Sequence, residues 1–381
     1  MRVLIIGNRR HQLICGLYGE LKKVYKNDSL VIDVLSQDTS NEKYDTDVLY
    51  NAIFTLSMPK FISKNRVLRG LYKQYLFRHQ ISKLDDYDFV HIHYIEDILI
   101  RDAVYLVKKL KCKLIVSIWG SDFLRASYYK KKQMLPILKY ASKITIANSV
   151  AKDFFLDYYN GTISNTKIVL CRFFIEPLDA LKKNIEKSNK TQSKLFFGFS
   201  KKIVVTVGYN ASVMQQHIEI LKSIESNINL CKICDDIEFV IPLTYPKNMD
   251  YIKEIENLIK KSKFKFTLLT SFLSAEQISH LRIASDIMIQ LQTTDMLSAS
   301  MLEHMYANNI VITGTWLPYN DLKQWGLIYK EVEEVKYLGQ KLHEILLNFD
   351  NLIIKTNVNS TILEQKFNRN EIISQWVNLY N

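Results

Sequence analysis

Short, almost continuously apolar runs recur along this chain, and a helix-length segment separates each from the next. The first half contains RVLIIG (2–7), SLVIDVLS (29–36), FVHIHY (89–94), KLIVSIWG (113–120), KITIANS (143–149) and KIVLCRF (167–173). The second half contains KIVVTVG (202–208), EFVIPLTY (238–245), KFTLLTSF (265–272), DIMIQL (286–291) and NIVITG (309–314). A strand that faces water on one side alternates apolar with polar residues. These runs do not, so both of their faces must be covered, as in a parallel sheet flanked by helices. The helix-length spacers supply the crossovers of βαβ units. The expected class is α/β, with two tandem Rossmann-like, doubly wound domains.

A polar stretch weak in strand signal divides the two sets of runs. The expected division is a first domain over 1–180, a linker over 181–200, a second domain over 201–365, and a C-terminal helix over 366–381 that packs back towards the first domain. A length of 381 residues with 48% hydrophobic content suits two such domains. Ligands of doubly wound sheets bind at the carboxyl ends of the strands, so the functional residues are expected in loops there, facing an interdomain cleft.

No apolar run approaches the roughly 20 residues that span a bilayer. The opening MRVLIIGNRR reads as a strand and turn rather than a secretory signal. The protein therefore reads as cytoplasmic. Five scattered cysteines do not make a disulfide framework. CKIC (231–234) has metal-ligand spacing, but no second pair completes a site.

The second domain begins with VVTVGYNASVMQQHIEIL. A strand runs into Gly208, then Asn210, Ala211 and Ser212, then a helix. Glycine permits close backbone approach, and a helix N-terminus favours anions. Gln215, Gln216 and His217 would add donors to a diphosphate. A plain turn capped by Ser212 is the alternative. The loop lacks the Gly-Lys-Ser/Thr of a P-loop and the further glycines of a dinucleotide fingerprint.

A similar arrangement follows DIMIQL. The exit QTTD ends in Asp295, and LSASMLEHMYA reads as a helix from Leu297. Its first N–H groups, from Met296, Leu297 and Ser298, would face a ligand at the strand end. Glu303 would reach a bound hydroxyl pair, and Asp295 a second polyol. Against this, Asp295 could be a helix-start acid and Glu303 a solvated residue, although Glu303 sits in an apolar segment. Thr244, Tyr245 and Phe272, at the exits of neighbouring strands, complete the expected donor site.

In the first domain, Gly7 and Asn8 form a turn after the first strand. Trp119 and Asp122 follow a later one in SIWGSDFLR, where an aromatic ring beside a carboxylate suits a sugar. Core filling is the other reading of Trp119. His91 and His93 share one face of a strand. No third ligand is apparent, so His93 is expected in a structural or acceptor role and no metal is expected.

The net charge of +12 is unevenly placed. Between Val48 and Leu84 there is no acid, and residues 60–84 carry seven cations, including Arg66, Arg69 and Lys73. On a helix, Leu68, Leu71, Tyr72, Tyr75 and Leu76 would share a face. SYYKKKQMLPILKYASK (127–143) is a second basic, aromatic-rich stretch. Such segments suit an anionic membrane surface. No nucleic-acid motif accompanies them, so nucleic acid is not expected as a partner.

Taken together, these residues resemble the GT-B glycosyltransferases. Asp295-x7-Glu303 resembles the Glu-x7-Glu motif of the family 4 retaining enzymes, with Asp in the first place. VGYNASVMQQHIEIL, IPLTYP and WGSDFLR are similar to bacterial enzymes that extend lipid-linked surface polysaccharides. The resemblance implies a nucleoside-diphosphate-sugar donor and no metal or other cofactor. It gives Glu303 the ribose hydroxyls and Asp295 the donor sugar. It also implies a lipid-linked or glycan acceptor at Gly7, Asn8, His93 and Trp119, and a peripheral location on the cytoplasmic face of the inner membrane. Trp119 stands where family 4 enzymes commonly have the His of Thr-x-His-Gly. The Arg and Lys they commonly place on the diphosphate are absent from GYNASVMQQH, so backbone N–H groups, Asn210, Gln216 and His217 inherit that task. If the reaction inverts, Asp122 is the expected base. A nucleotide-sugar 2-epimerase, or a non-catalytic subunit of a polysaccharide assembly complex, are the competing readings.

Overall fold

The computed structural model describes residues 1–26, 29–36, 45–83, 87–246 and 248–381. The chain forms two compact units, Met1–Phe174 with Asn368–Asn381, and Ile175–Phe367.

The first unit is built on β1 (Arg2–Gly7), β2 (Val31–Ser36), β3 (Ala52–Thr55), β4 (Phe89–His93), β5 (Lys113–Ser117), β6 (Lys143–Ile146) and β7 (Ile168–Leu170). They form one sheet in the order β3-β2-β1-β4-β5-β6-β7, parallel throughout. Val3, Leu4, Ile5 and Ile6 are all fully buried, as a strand covered on both faces must be. One cover is the helix Gln12–Val24, which buries Ile14, Leu17, Tyr18 and Leu21 at helical spacing. The C-terminal helix Arg369–Val377 is another. Its Trp376 is fully buried and donates from Nε1 to the carbonyl of Arg172 at 2.7 Å.

The second unit contains β8 (Ile203–Val207), β9 (Ile237–Pro242), β10 (Lys265–Leu269), β11 (Ile287–Gln290), β12 (Ile310–Gly314) and β13 (Lys330–Val332). Their order is β10-β9-β8-β11-β12-β13, again all parallel. The two sheets share one winding. In each, the chain leaves its first strand towards one edge and then returns to the other side, between β1 and β4 and between β8 and β11. A crevice opens at the carboxyl ends at such a switch point.

Two strands have no counterpart among the apolar runs. β3 (AIFT) is only half-buried, and β13 (KEV) is three residues long. Both lie at sheet edges, where neither length nor full burial is required. The expected linker at 181–200 is also corrected. Most of it forms the helices Glu176–Lys187 and Lys190–Phe197, which pack on the helix Ala275–Ala284 of the same unit. These helices bury little beyond Leu181 and Ser193, hence their polar composition. Asn189 and Gln192 form a capping box between them.

Among the described residues, no helix is long and apolar enough to cross a membrane. Leu84, the last residue of the basic segment 60–84, lies outside the described residues. The helix Arg66–Ile81 buries only Phe77 and Ile81, and leaves Val67, Leu68, Leu71 and Tyr75 exposed.

Candidate functional site

In the second unit, three loops meet at the carboxyl ends of β8 and β11. Gly208 extends the ladder through its N–H to the carbonyl of Ile289 at 2.9 Å, and then turns with φ +63. A Cβ there would stand 2.8 Å from Gln215 Oε1 and 3.0 Å from His217 Nε2, so only glycine fits both the backbone and the space. The helix expected from Ser212 starts later. Ser212 caps a 3₁₀ turn, Val213–Gln215, Gln216 is left-handed, and the α-helix runs His217–Glu225.

Asn210 and Gln216, expected on the diphosphate, are used to shape this loop. Asn210 Oδ1 accepts from the Ser212 N–H at 2.9 Å, and its side chain is hydrogen-bonded to the Tyr245 hydroxyl. Gln216 Nε2 donates to the carbonyl of Leu291 at the exit of β11. The Ala211 N–H donates to the Tyr245 carbonyl at 2.6 Å, and the Thr293 N–H to the Met214 carbonyl at 2.9 Å. Thr244 and Tyr245 thus belong to the same loop cluster. Phe272 is 76% exposed, so its ring packs against little.

The polar floor of this cluster was not legible as a set. Gln215, His217 and Gln292 are almost completely buried. Gln215 Oε1, His217 Nε2 and Gln292 Nε2 have no hydrogen-bond partner. Burial holds the His217 imidazole down to about 4, so it is neutral near pH 7. The Tyr251 hydroxyl accepts from the His217 N–H at 3.1 Å, and so has its own proton to give to Nδ1, 3.3 Å away. That pattern assigns the imidazole proton to Nε2, which makes this nitrogen a buried donor. Buried donors and acceptors are nearly always paired in native proteins, so three unpaired atoms in one place make this floor a candidate site for a polar ligand.

The segment after β11 also starts its helix later than expected. Ser298 is the N-cap, with Oγ accepting from the Met301 N–H at 3.3 Å, and the helix runs Ala299–Tyr306. The N–H groups of Met296 and Leu297 therefore belong to the loop. Asp295 accepts a hydrogen bond from the Tyr319 hydroxyl. Glu303 is 4% exposed, which excludes the solvated reading. Its Oε2 accepts from Arg282 Nε at 2.9 Å. Arg282 Nη1 lies 3.1 Å from His304 Nε2, and His304 Nδ1 lies 2.8 Å from Asn309 Nδ2. Burial and then the Arg282 charge hold His304 well below the usual imidazole range, so the ring is neutral. Both Arg282 and Glu303 act electrostatically on Tyr245, which brings the acid to the same loop cluster. Arg282 was missed because nothing local in the sequence ties it to an acid on the following helix.

In the first unit, the loops after β1, β4 and β5 meet. A Cβ on Gly7 would lie 3.1 Å from Ile14 Cδ1 and 3.3 Å from the His93 carbonyl oxygen. Asn8 Oδ1 accepts from the Arg10 N–H at 3.0 Å and shapes the turn that leads to His11. The His11 ring packs edge-on to Trp119, with centroids 4.5 Å apart. Trp119 is half-buried among His11, His93, Tyr94 and Phe173 rather than standing exposed. Its Nε1 and His93 Nδ1 are buried without partners. The histidine pair is bound by hydroxyls: Tyr18 Oη lies 2.9 Å from both His91 Nδ1 and His93 Nε2, and His91 Nε2 lies 2.8 Å from Ser117 Oγ. Burial drives His93 down to about 3.

Asp122 requires the clearest correction. Its Oδ1 accepts from the N–H groups of Trp119 and Gly120, each at 3.0 Å, and its Oδ2 from that of Ile95 at 3.1 Å. It ties the β5 exit to the β4 exit, which is structural work rather than that of a base. Burial raises its carboxyl to about 6 against the opposing pull of those hydrogen bonds.

Residues 4–151 match the glycosyl transferase 4-like family. No curated protein matches the sequence. Among solved structures, HepE from Anabaena, in complex with UDP and glucose, is similar at TM-score 0.70 and 12% identity, with coverage of 100% of this chain and 99% of that one. Sucrose-phosphate synthase from Thermosynechococcus elongatus is similar at TM-score 0.73 and 12% identity, covering 100% and 98%. A glycosyltransferase from Rickettsia africae is similar at TM-score 0.68 and 16% identity, covering 100% and 97%. The expected resemblance to glycosyltransferases appears in both comparisons: residues 4–151 match a glycosyl transferase 4-like family model, and the whole chain shares its two-domain α/β fold with these solved structures.

Proposed function

We propose that this protein transfers a sugar from a nucleoside-diphosphate sugar, held by the second unit, to a lipid-linked or glycan acceptor held by the first, in bacterial surface-glycan synthesis. The observation that carries this reading is the buried polar floor of Gln215, His217 and Gln292 at the carboxyl ends of β8 and β11, beside the Glu303 that Arg282 holds in place. Glu303 would take the ribose hydroxyls and Asp295 the donor sugar. The diphosphate would meet neutral donors, His217 Nε2–H and the Gln292 amide, together with loop N–H groups. Preorganised donors of this kind stabilise a leaving diphosphate without a metal. Because Asp122 is committed to three backbone N–H groups, the leaving phosphate is the better acceptor of the incoming hydroxyl's proton. That favours retention. The bound UDP and UDP-glucose of HepE support a uridine donor as the first to try.

The reading extends to a cytoplasmic location on an anionic membrane. Phe61, Val67, Leu68, Leu71 and Tyr75 are exposed beside Lys64, Arg66 and Arg69, as are Tyr128 and Tyr129 beside Lys130 and Lys132. Such a surface is drawn to anionic lipid by about 1 kcal/mol per nearby cation. Co-sedimentation with phosphatidylglycerol vesicles, and its absence with phosphatidylcholine alone, is the expected result. Equal binding to both would remove the electrostatic argument. For the activity, sugar transfer is measured from UDP-sugars with EDTA present. Turnover of donor without any acceptor would point instead to the epimerase.

A further inference from the structure

A cavity of about 430 Å³ opens in the first unit where the segments after β4 and β5 meet the helices Arg66–Ile81 and Tyr128–Tyr140. It lies at the carboxyl edge of the sheet, where ligands of this fold are held. Lys73, Arg101, Arg125 and Lys130 line it. We infer that this cavity binds a phosphate or diphosphate ester and is the subsite for the phosphorylated end of the acceptor. The assignment of the ester to an acceptor rests on the glycosyltransferase reading; the anion site itself does not.

The acids that share the cavity do not cancel its charge. Asp97 is paired with Lys130 at 2.7 Å. Asp122 is enclosed by three N–H donors. Glu96 faces Lys73, whose charge acts on its carboxyl against the upward push of burial, so this acid is opposed by a cation of its own. Arg101 has no acidic partner among the described residues. A planar guanidinium with open donors, next to a second guanidinium and an ammonium, is the arrangement that recognises phosphate oxygens. The backbone lining is also special. Tyr94 follows β4 with φ +69, a conformation that bulky residues rarely hold, and Gly120 follows β5 with φ +107. Strained backbone of this kind concentrates at binding sites.

The test is calorimetric titration of the intact protein with farnesyl diphosphate, inorganic pyrophosphate and glucose 6-phosphate, with UDP titrated in parallel. Binding of at least one of the three phosphate compounds is expected, and the double variant Arg101→Gln/Arg125→Gln should weaken it at least tenfold while leaving UDP affinity unchanged. Farnesyl diphosphate binding more tightly than pyrophosphate would identify a lipid-linked acceptor. Glucose 6-phosphate binding as tightly as either would identify a sugar phosphate. If none of the three binds, or if the double variant binds them as well as the wild type, the cavity is not a phosphate site. Absence of UDP binding by the wild type would overturn the donor assignment but not this one, because the comparison of wild type with Arg101→Gln/Arg125→Gln reports on the first-unit cavity.

Discussion

Replacing Glu303 by alanine would remove more than a ligand contact. The Arg282 and Glu303 side chains are only 7% and 5% exposed and meet at 2.9 Å. Truncating one partner of such a pair leaves the other charge desolvated, which costs about 3–5 kcal/mol. His304 cannot take the charge, since it is itself held neutral. For a unit of this size, 1 kcal/mol moves the melting temperature by about 2–4 °C, so Glu303→Ala should melt roughly 10 °C early. Replacing both partners by apolar residues of similar volume is close to neutral. Arg282→Met/Glu303→Met should therefore recover most of the melting temperature. It should not recover donor binding if Glu303 holds the ribose. Scanning calorimetry reads the first effect, in the transition that shifts when UDP is added. UDP titration reads the second. Wild-type melting of Glu303→Ala would refute the buried-pair account. Wild-type UDP affinity in the double variant would refute the role of Glu303.

Stability should also fall with acid. His93 and His217 are held at about 3 and 4 in the folded chain, while an unfolded histidine titrates near 6.5. The unfolded state therefore binds more protons over that window, and each histidine removes up to about 1.4 kcal/mol per pH unit as pH falls from about 6.5 towards 4. Asp122, raised to about 6, binds its proton more readily in the folded state and offsets one histidine over part of the range. Melting at pH 7.5, 6.0 and 5.0 checks the sign, and a flat or rising profile would contradict it. Asp122→Asn keeps a carbonyl acceptor for the loop, so transfer should fall less than tenfold; a loss of about a hundredfold or more would restore Asp122 as a base.

The sheets were legible because burial on both faces leaves no choice but continuous apolar runs, as at Val3–Ile6 and Phe239–Ile241. Gly208 was legible because only glycine suits its backbone. Edge strands such as β13 and the surface helices at 181–200 escaped, since neither needs a long apolar signature. The pairing of Arg282 with Glu303 and the enclosure of Asp122 depend on loops brought together by the sheet. No spacing rule encodes them. In the proposed reading, Asp122 serves as a tether rather than a base, Asn210 and Gln216 shape the loop, and Gln292 joins the donor site.

The most direct test of a nucleotide-sugar site in the second unit is calorimetric titration of the intact chain with UDP, GDP and dTDP and their sugar conjugates, repeated on Gln292→Leu. One site per chain for one of these nucleotides, weakened at least tenfold by the substitution, is the expected result. No binding by any of them, or binding indifferent to Gln292, would contradict it.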